Sequence, residues 1–181
     1  MKSKRIVISG GPGSGKTSLI SHLEKEGHTC LHEISRDVTI AAQKDGIEQL
    51  FKENPMLFSK KLLEGRLHQF TQASLFSESF VFYDRGMPDV TAYMDYIDAQ
   101  YPINFSKTCS TNRYDAIFLL PPWEAIYKQD NERYESFEQA GELYQFLLKS
   151  YQKFDYSVIE VPVGTIEERI DFMLDKLKIL F

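Results

Sequence analysis

Residues 5–17 read Arg5-Ile6-Val7-Ile8-Ser9-Gly10-Gly11-Pro12-Gly13-Ser14-Gly15-Lys16-Thr17, and this stretch decides the fold. Its first half is a short apolar run of β character. From Gly10 onward it fits G-x-x-x-x-G-K-[ST] at every position. A chance match in a chain this long has odds on the order of one in a hundred. The context lowers those odds, because Leu19, Ile20 and Leu23 then form the stripe of an amphipathic helix, with Gly27 placed to end it. Glycines let the backbone curl so that successive N–H groups converge, and the helix N-terminus adds partial positive charge. Together they form a cradle for a polyphosphate. The motif therefore predicts that Gly10, Gly11, Pro12, Gly13, Ser14, Gly15, Lys16, Thr17 and Ser18 hold a nucleoside triphosphate. Lys16 is expected on the β- and γ-phosphates, and the Thr17 hydroxyl on Mg²⁺.

Outward from the loop, short apolar runs alternate with longer helical patterns, which predicts an α/β fold with a parallel sheet. Five runs read as strands covered on both faces: 6–8, 29–32, 80–83, 116–120 and 158–161. A long helical pattern covers 55–76. Ser136 with Gln139, and Thr165 with Glu168, have capping-box spacing ahead of two further helices. No repeat or linker composition divides the 181 residues, so one domain over 1–181 is expected.

The charge balance narrows the function. Hydrophobic residues are 43% and charged residues 26%, and the formal net charge is -5. That charge argues against a broad nucleic-acid-binding surface and places any phosphate binding in a local pocket. The apolar run behind Lys2, Lys4 and Arg5 is too short for a signal segment or a membrane span. Two distant cysteines, Cys30 and Cys109, read as free thiols, and a cytoplasmic location is the expectation.

In an open parallel sheet, ligands bind beyond the carboxyl ends of the strands. Glu33 follows the second run there, and Asp84 with Arg85 ends the third as Tyr83-Asp84-Arg85-Gly86. Such an aspartate can hold Mg²⁺ through water or take a proton from an acceptor hydroxyl, and the arginine can meet a phosphate. The plainer alternative is a carboxylate capping the helix near Pro88, beside a surface arginine. Arg36 remains an undecided neighbour. Residues 121–136 follow the fourth run and carry Lys128, Asp130, Glu132 and Arg133. They read either as a polar lid with Arg133 as its working residue or as an ordinary solvated loop. Residues 161–164 offer a wall for a nucleotide base.

Taken together, the loop, His32-Glu33-Ile34-Ser35-Arg36-Asp37, Tyr83-Asp84-Arg85-Gly86, and Pro121-Pro122-Trp123 with 130–137 resemble a family. It is the AAA-labelled P-loop ATPase/kinase family, which is similar to nicotinamide riboside kinase domains and, distantly, to nucleoside and nucleotide kinases. The resemblance implies a three-layer P-loop fold with strand order 2-3-1-4-5, a lid, and ATP as the bound nucleotide. It also implies that the acid, Glu33, serves an acceptor hydroxyl, that Arg85 of the Asp84-Arg85 pair serves the phosphates, and that Arg66 and Gln69 face the acceptor; whether Glu33 or Asp84 is the base stays open. It does not name the acceptor. Two readings follow. One is an ATP- and Mg²⁺-dependent phosphotransferase acting on a small hydroxylated, nucleoside-like acceptor, with Lys16, Asp84, Arg85, Glu33 and Arg133 as its working residues. The other is a regulatory ATPase or GTPase switch without such an acceptor. Against a Ras-like switch, the chain has no Asn-Lys-x-Asp to read guanine.

Overall fold

The computed structural model describes residues 3–127 and 136–181. Five parallel strands form one sheet in the order β2-β3-β1-β4-β5. They are β1 (Lys4–Gly10), β2 (Thr29–Leu31), β3 (Phe80–Asp84), β4 (Ala116–Leu120) and β5 (Val158–Glu160). Parallel pairing demands crossovers, and these are helical: α1 (Lys16–Lys25), α2 (Ser35–Lys44), α3 (Leu50–Glu53), α4 (Pro55–Gln72), α5 (Met87–Tyr96), α6 (Ile103–Thr111), α7 (Phe137–Lys153) and α8 (Ile166–Leu180).

Side chains on β1 alternate between two cores. Ile6 and Ile8 pack with Leu19, Ile20 and Leu23 of α1 and with Ile170, Met173 and Leu177 of α8. Val7 points the other way, toward Leu62 and Leu63 of α4, Val90 of α5 and Phe105 of α6. Leu143, Tyr144 and Leu147 of α7 close a third cluster against Ala92 and Leu119. The result is three layers, with the strand C-termini of the central β1, β3 and β4 opening on one edge.

Two expectations need correction. The 29–32 and 158–161 runs form three-residue edge strands, and most of their side chains are only half-buried. An edge strand has a neighbour on one side only, so apolar runs at β2 and β5 do not mean full coverage. The long pattern at 55–76 ends as an α-helix at Gln72, and a 3₁₀ turn takes over at Ala73–Leu75. Both anticipated capping boxes form: Ser136 and Gln139 exchange bonds of 3.2 and 2.7 Å, and Thr165 and Glu168 of 3.2 and 2.8 Å. Both cysteines are free thiols. Among the described residues, no helix is long and apolar enough to cross a membrane.

Two glycines with open space around a would-be Cβ separate backbone effects from packing. Gly141 lies inside α7, whereas Gly27 holds φ at 88° just after α1. In urea unfolding, Gly141→Ala should raise stability by roughly 0.5–1 kcal/mol, by restricting the unfolded chain and favouring helix. Gly27→Ala should lower it by about 1–2 kcal/mol, since its backbone would be left-handed.

Candidate active site

The carboxyl edge of the sheet is where β1 turns into the loop and β3 ends. Parallel register sets Ile8 beside Asp84, so the end of β3 lies next to the start of the loop. Lys16 is the first residue of α1, and its Nζ lies 3.4 Å from Asp84 Oδ1, with both side chains only 10% exposed. Burial pushes the Lys16 pKa down and Arg85 lowers it further, while Asp84, Glu33 and Asp89 oppose the fall. Gly13 adopts φ 71°, and a Cβ there would stand 2.4 Å from the Tyr127 ring. The loop thus needs glycine both for its backbone and for the aromatic lying on it.

Behind the loop lies a layer of buried charge. Glu33 accepts from the N–H groups of Ile34 and Ser35 at 3.0 and 3.2 Å, so its carboxylate folds back over the start of α2. The Arg66 guanidinium meets both its oxygens, at 3.0 and 3.2 Å, and Arg85 Nε contacts Oε2 at 2.5 Å. Burial pushes Glu33 up, but Arg66, Arg85 and Lys16 prevail and hold it at about 2. Arg66 is 3% exposed and also donates to Gly86 O at 2.9 Å. Arg85 takes a left-handed backbone, φ 73°, and its N–H reaches Ile8 O at 3.0 Å. From there its Nη1 reaches Asp89 Oδ1 at 3.3 Å.

Asp89 ties this layer to the sheet. It is 4% exposed and accepts from Ser9 Oγ at 2.6 Å, from Gly86 N at 3.0 Å, and from the Tyr151 hydroxyl. The helix-capping role weighed for Asp84 therefore belongs to Asp89, and Arg85 is a half-buried member of the charge layer rather than a surface group. The sequence reading missed Asp89. Its position three residues after Gly86, at the N3 position of α5, was the signal available.

Two cavities open on this edge. The first, about 430 Å³, is lined by the loop from Gly11 to Ser18, by Arg85, and by Trp123, Ile126, Gly164, Ile166 and Arg169. The second, about 280 Å³, is walled by Phe51, Phe58, Leu62, Val90, Tyr93, Leu143 and Leu147 and floored by Glu33, Arg66, Arg85 and Asp89. Pro12 and Arg85 line both. The structure thus gathers Gly11 through Ser18, Glu33, Asp84 and Arg85 at one edge, and Gly164 lines the first cavity with the loop. Gly10 closes β1 just behind the loop. Arg36 and Gln69 line neither cavity, and Gln69 Nε2 instead holds His32 O at 2.7 Å. Arg133, with Lys128, Asp130 and Glu132, lies outside the described residues. Arg169 went unread in the sequence, since a charged residue in a helical stripe gives no sign of being buried 155 residues away against Ser14.

No curated protein matches the sequence. Among solved structures, deoxyadenosine kinase from M. mycoides aligns with a TM-score of 0.68 at 17% identity, over 96% of this chain and 98% of that one. NadR protein in complex with NR aligns at 0.75 and 19%, over 97% of this chain, which spans only 51% of that one. Thymidylate kinase from Candida albicans aligns at 0.68 and 18%, over 98% and 92%. At these identities the likeness establishes the fold: a P-loop, kinase-like three-layer sheet in the order expected from the sequence. A model of the AAA domain matches residues 5–169, nearly the whole chain, and the protein belongs to the AAA domain family.

Proposed function

We propose that this protein is a phosphotransferase that moves the terminal phosphoryl group of a nucleoside triphosphate, ATP in the first instance, to an uncharged, hydroxylated small molecule. The observation that carries this reading is the pair of cavities meeting at Pro12 and Arg85. A switch that only binds and hydrolyses a nucleotide has no use for a second, mostly apolar chamber floored by carboxylates and arginines. The structural neighbours include kinases, which agrees with such a two-chamber use of the fold.

The roles follow from position. Lys16 and the loop N–H groups hold the triphosphate, and Arg85 stands where the two chambers join, facing the transferred group. Glu33 lines the second chamber, so it is the group that accepts a hydrogen bond from the acceptor hydroxyl. Held at about 2, it is too weak a base to pull the proton off early. It orients the hydroxyl instead, which suits a loose transition state in which positioning dominates. Thr17, exposed on the first turn of α1, and Asp84, whose buried Oδ1 has no hydrogen-bond partner, fit a hydrated Mg²⁺ brought in with the triphosphate. When bound, that ion would neutralise phosphate charge. Among the described residues no cluster of His, Cys, Asp or Glu could hold a metal unaided, so phosphate oxygens and water would supply most of its ligands.

The charge layer also bears on the acceptor. In the second chamber Arg66 is committed to Glu33, and Arg85, which faces the transferred group, is already shared with Glu33 and Asp89, so no further cation is left for a phosphate on the acceptor itself. An anionic acceptor would have to break a buried ion pair, which is costly.

Four expected outcomes test this. In thermal-shift measurements with Mg²⁺ and a non-hydrolysable ATP analogue, some neutral nucleosides or related alcohols should raise Tm beyond the analogue alone, and their phosphate esters should not. Stabilisation by the analogue alone, whatever the second compound, would instead favour the switch. Asp84→Asn should cut transfer by about 100-fold or more and leave triphosphate affinity within a few-fold, read by coupled assay and titration calorimetry. Because Glu33 is ionised well below neutrality, kcat/KM should show no acid limb from about pH 9 down to about pH 5. On the alkaline side, triphosphate affinity should weaken earlier than an ordinary lysine would allow, since the lowered Lys16 pKa brings loss of its charge forward. An acid limb near pH 6–7 would remove Glu33 from this role.

A further inference from the structure

Of the three arginines that line the two cavities, Arg66 and Arg85 are paired with carboxylates, and Arg169 has no carboxylate partner among the described residues. It is 2% exposed, on the first turns of α8, and it lines the nucleotide cavity. Its Nη2 donates to Ser14 O at 3.0 Å. Its Nη1 lies so close to the loop that a Cβ on Gly15 would meet it at 2.8 Å. Its Nε is buried without any hydrogen-bond partner. Burial lowers its pKa, and no carboxylate opposes that fall. A guanidinium held this way is expensive: burying an unpartnered N–H and an uncompensated charge each costs free energy. A role confined to bracing the loop would need only the Ser14 contact. It would not explain why a charged, planar group with a free N–H is kept at a cavity wall.

The rest of that wall indicates what the group meets. Lys16 and Arg85 mark the phosphate end of the cavity. Trp123, Ile126, Gly164 and Ile166 line it together with Arg169. The flat ring of Trp123 and the apolar side chains of Ile126 and Ile166, with one planar, weakly hydrated cation, suit the face of an aromatic ring, and a free in-plane N–H suits a ring nitrogen, a carbonyl or a ribose oxygen. Building on the nucleotide reading above, we infer that Arg169 is a nucleotide-binding residue. It recognises the base and ribose half of the triphosphate from the α8 wall while its far edge anchors the loop at Ser14.

Titration calorimetry with Mg²⁺ on the full chain separates this from a bracing role, using ATP, GTP and inorganic tripolyphosphate as probes. The unsubstituted protein should bind ATP or GTP more tightly than tripolyphosphate. Arg169→Met should weaken the preferred nucleotide by about tenfold and leave tripolyphosphate within about twofold. Arg169→Lys keeps the charge but not the plane or the Nε–H, and should lose nearly as much. It also serves as the variant of record if Arg169→Met fails to fold. Equal losses for nucleotide and tripolyphosphate, or no loss for either, would overturn the inference and leave Arg169 as a brace. So would a native protein that binds tripolyphosphate as tightly as either nucleotide. A native protein that binds none of the three would instead sink the nucleotide reading on which the inference stands.

Discussion

At the carboxyl edge of the sheet Lys16, Arg66 and Arg85 are paired with Asp84, Glu33 and Asp89, and their mutual neutralisation is the constraint on which the rest of the site depends. Lys16 faces Asp84, Arg66 and Arg85 face Glu33, and Arg85 also reaches Asp89. Removing any one member would leave a buried charge uncompensated, which is far more damaging than replacing a whole pair. The layer is held in place by backbone as well as by side chains. Glu33 takes two N–H groups, Asp89 takes that of Gly86, and Arg66 gives to the Gly86 carbonyl. The charges are therefore fixed to β3, α2, α4 and α5 at once, and the geometry of both chambers is inherited from how those elements pack.

That arrangement explains why the chemistry collects where it does. Parallel strands end together, so loops after β1, β2 and β3 converge without long excursions of the chain. The apolar faces of α4, α5 and α7 form the walls of the second chamber only because their other faces are committed to the core through Leu63, Met87 and Tyr151. The same helices thus supply stability on one side and a binding surface on the other.

Much of this was legible in the residues, and what was not has a physical reason. The G-x-x-x-x-G-K-[ST] loop, the five apolar runs and both capping boxes are local signals, complete within a few residues, and each appears in the structure, though the runs at β2 and β5 are shorter and less covered than read. Asp84 and Arg85 were legible because a polar pair ending an apolar strand is itself local. Helices α2 and α6 were not anticipated, and α5 was seen only as a helix near Pro88 of unread extent. In α5, Met87, Val90, Thr91, Ala92 and Met94 are buried nearly all round, so no one-sided stripe exists to be seen. In α6, the run of Ser and Thr gives weak helical preference. Asp89 and Arg169 escaped for another reason. Their partners, Ser9, Tyr151 and Ser14, lie 62 to 155 residues away, and burial of a charge by such contacts leaves no periodic trace.

Arg85 is a single side chain with one face in each chamber, and its backbone is held at φ 73°, where a residue with a Cβ sits at some cost. Its guanidinium cannot lean toward a phosphoryl group in one chamber without loosening its grip on Glu33 in the other. Whatever free energy a first ligand gains or loses by that shift is passed, by thermodynamic reciprocity, to the second. On the phosphotransferase reading, triphosphate and acceptor would thereby be energetically linked: each would set the affinity of the other by the same factor, whichever arrived first.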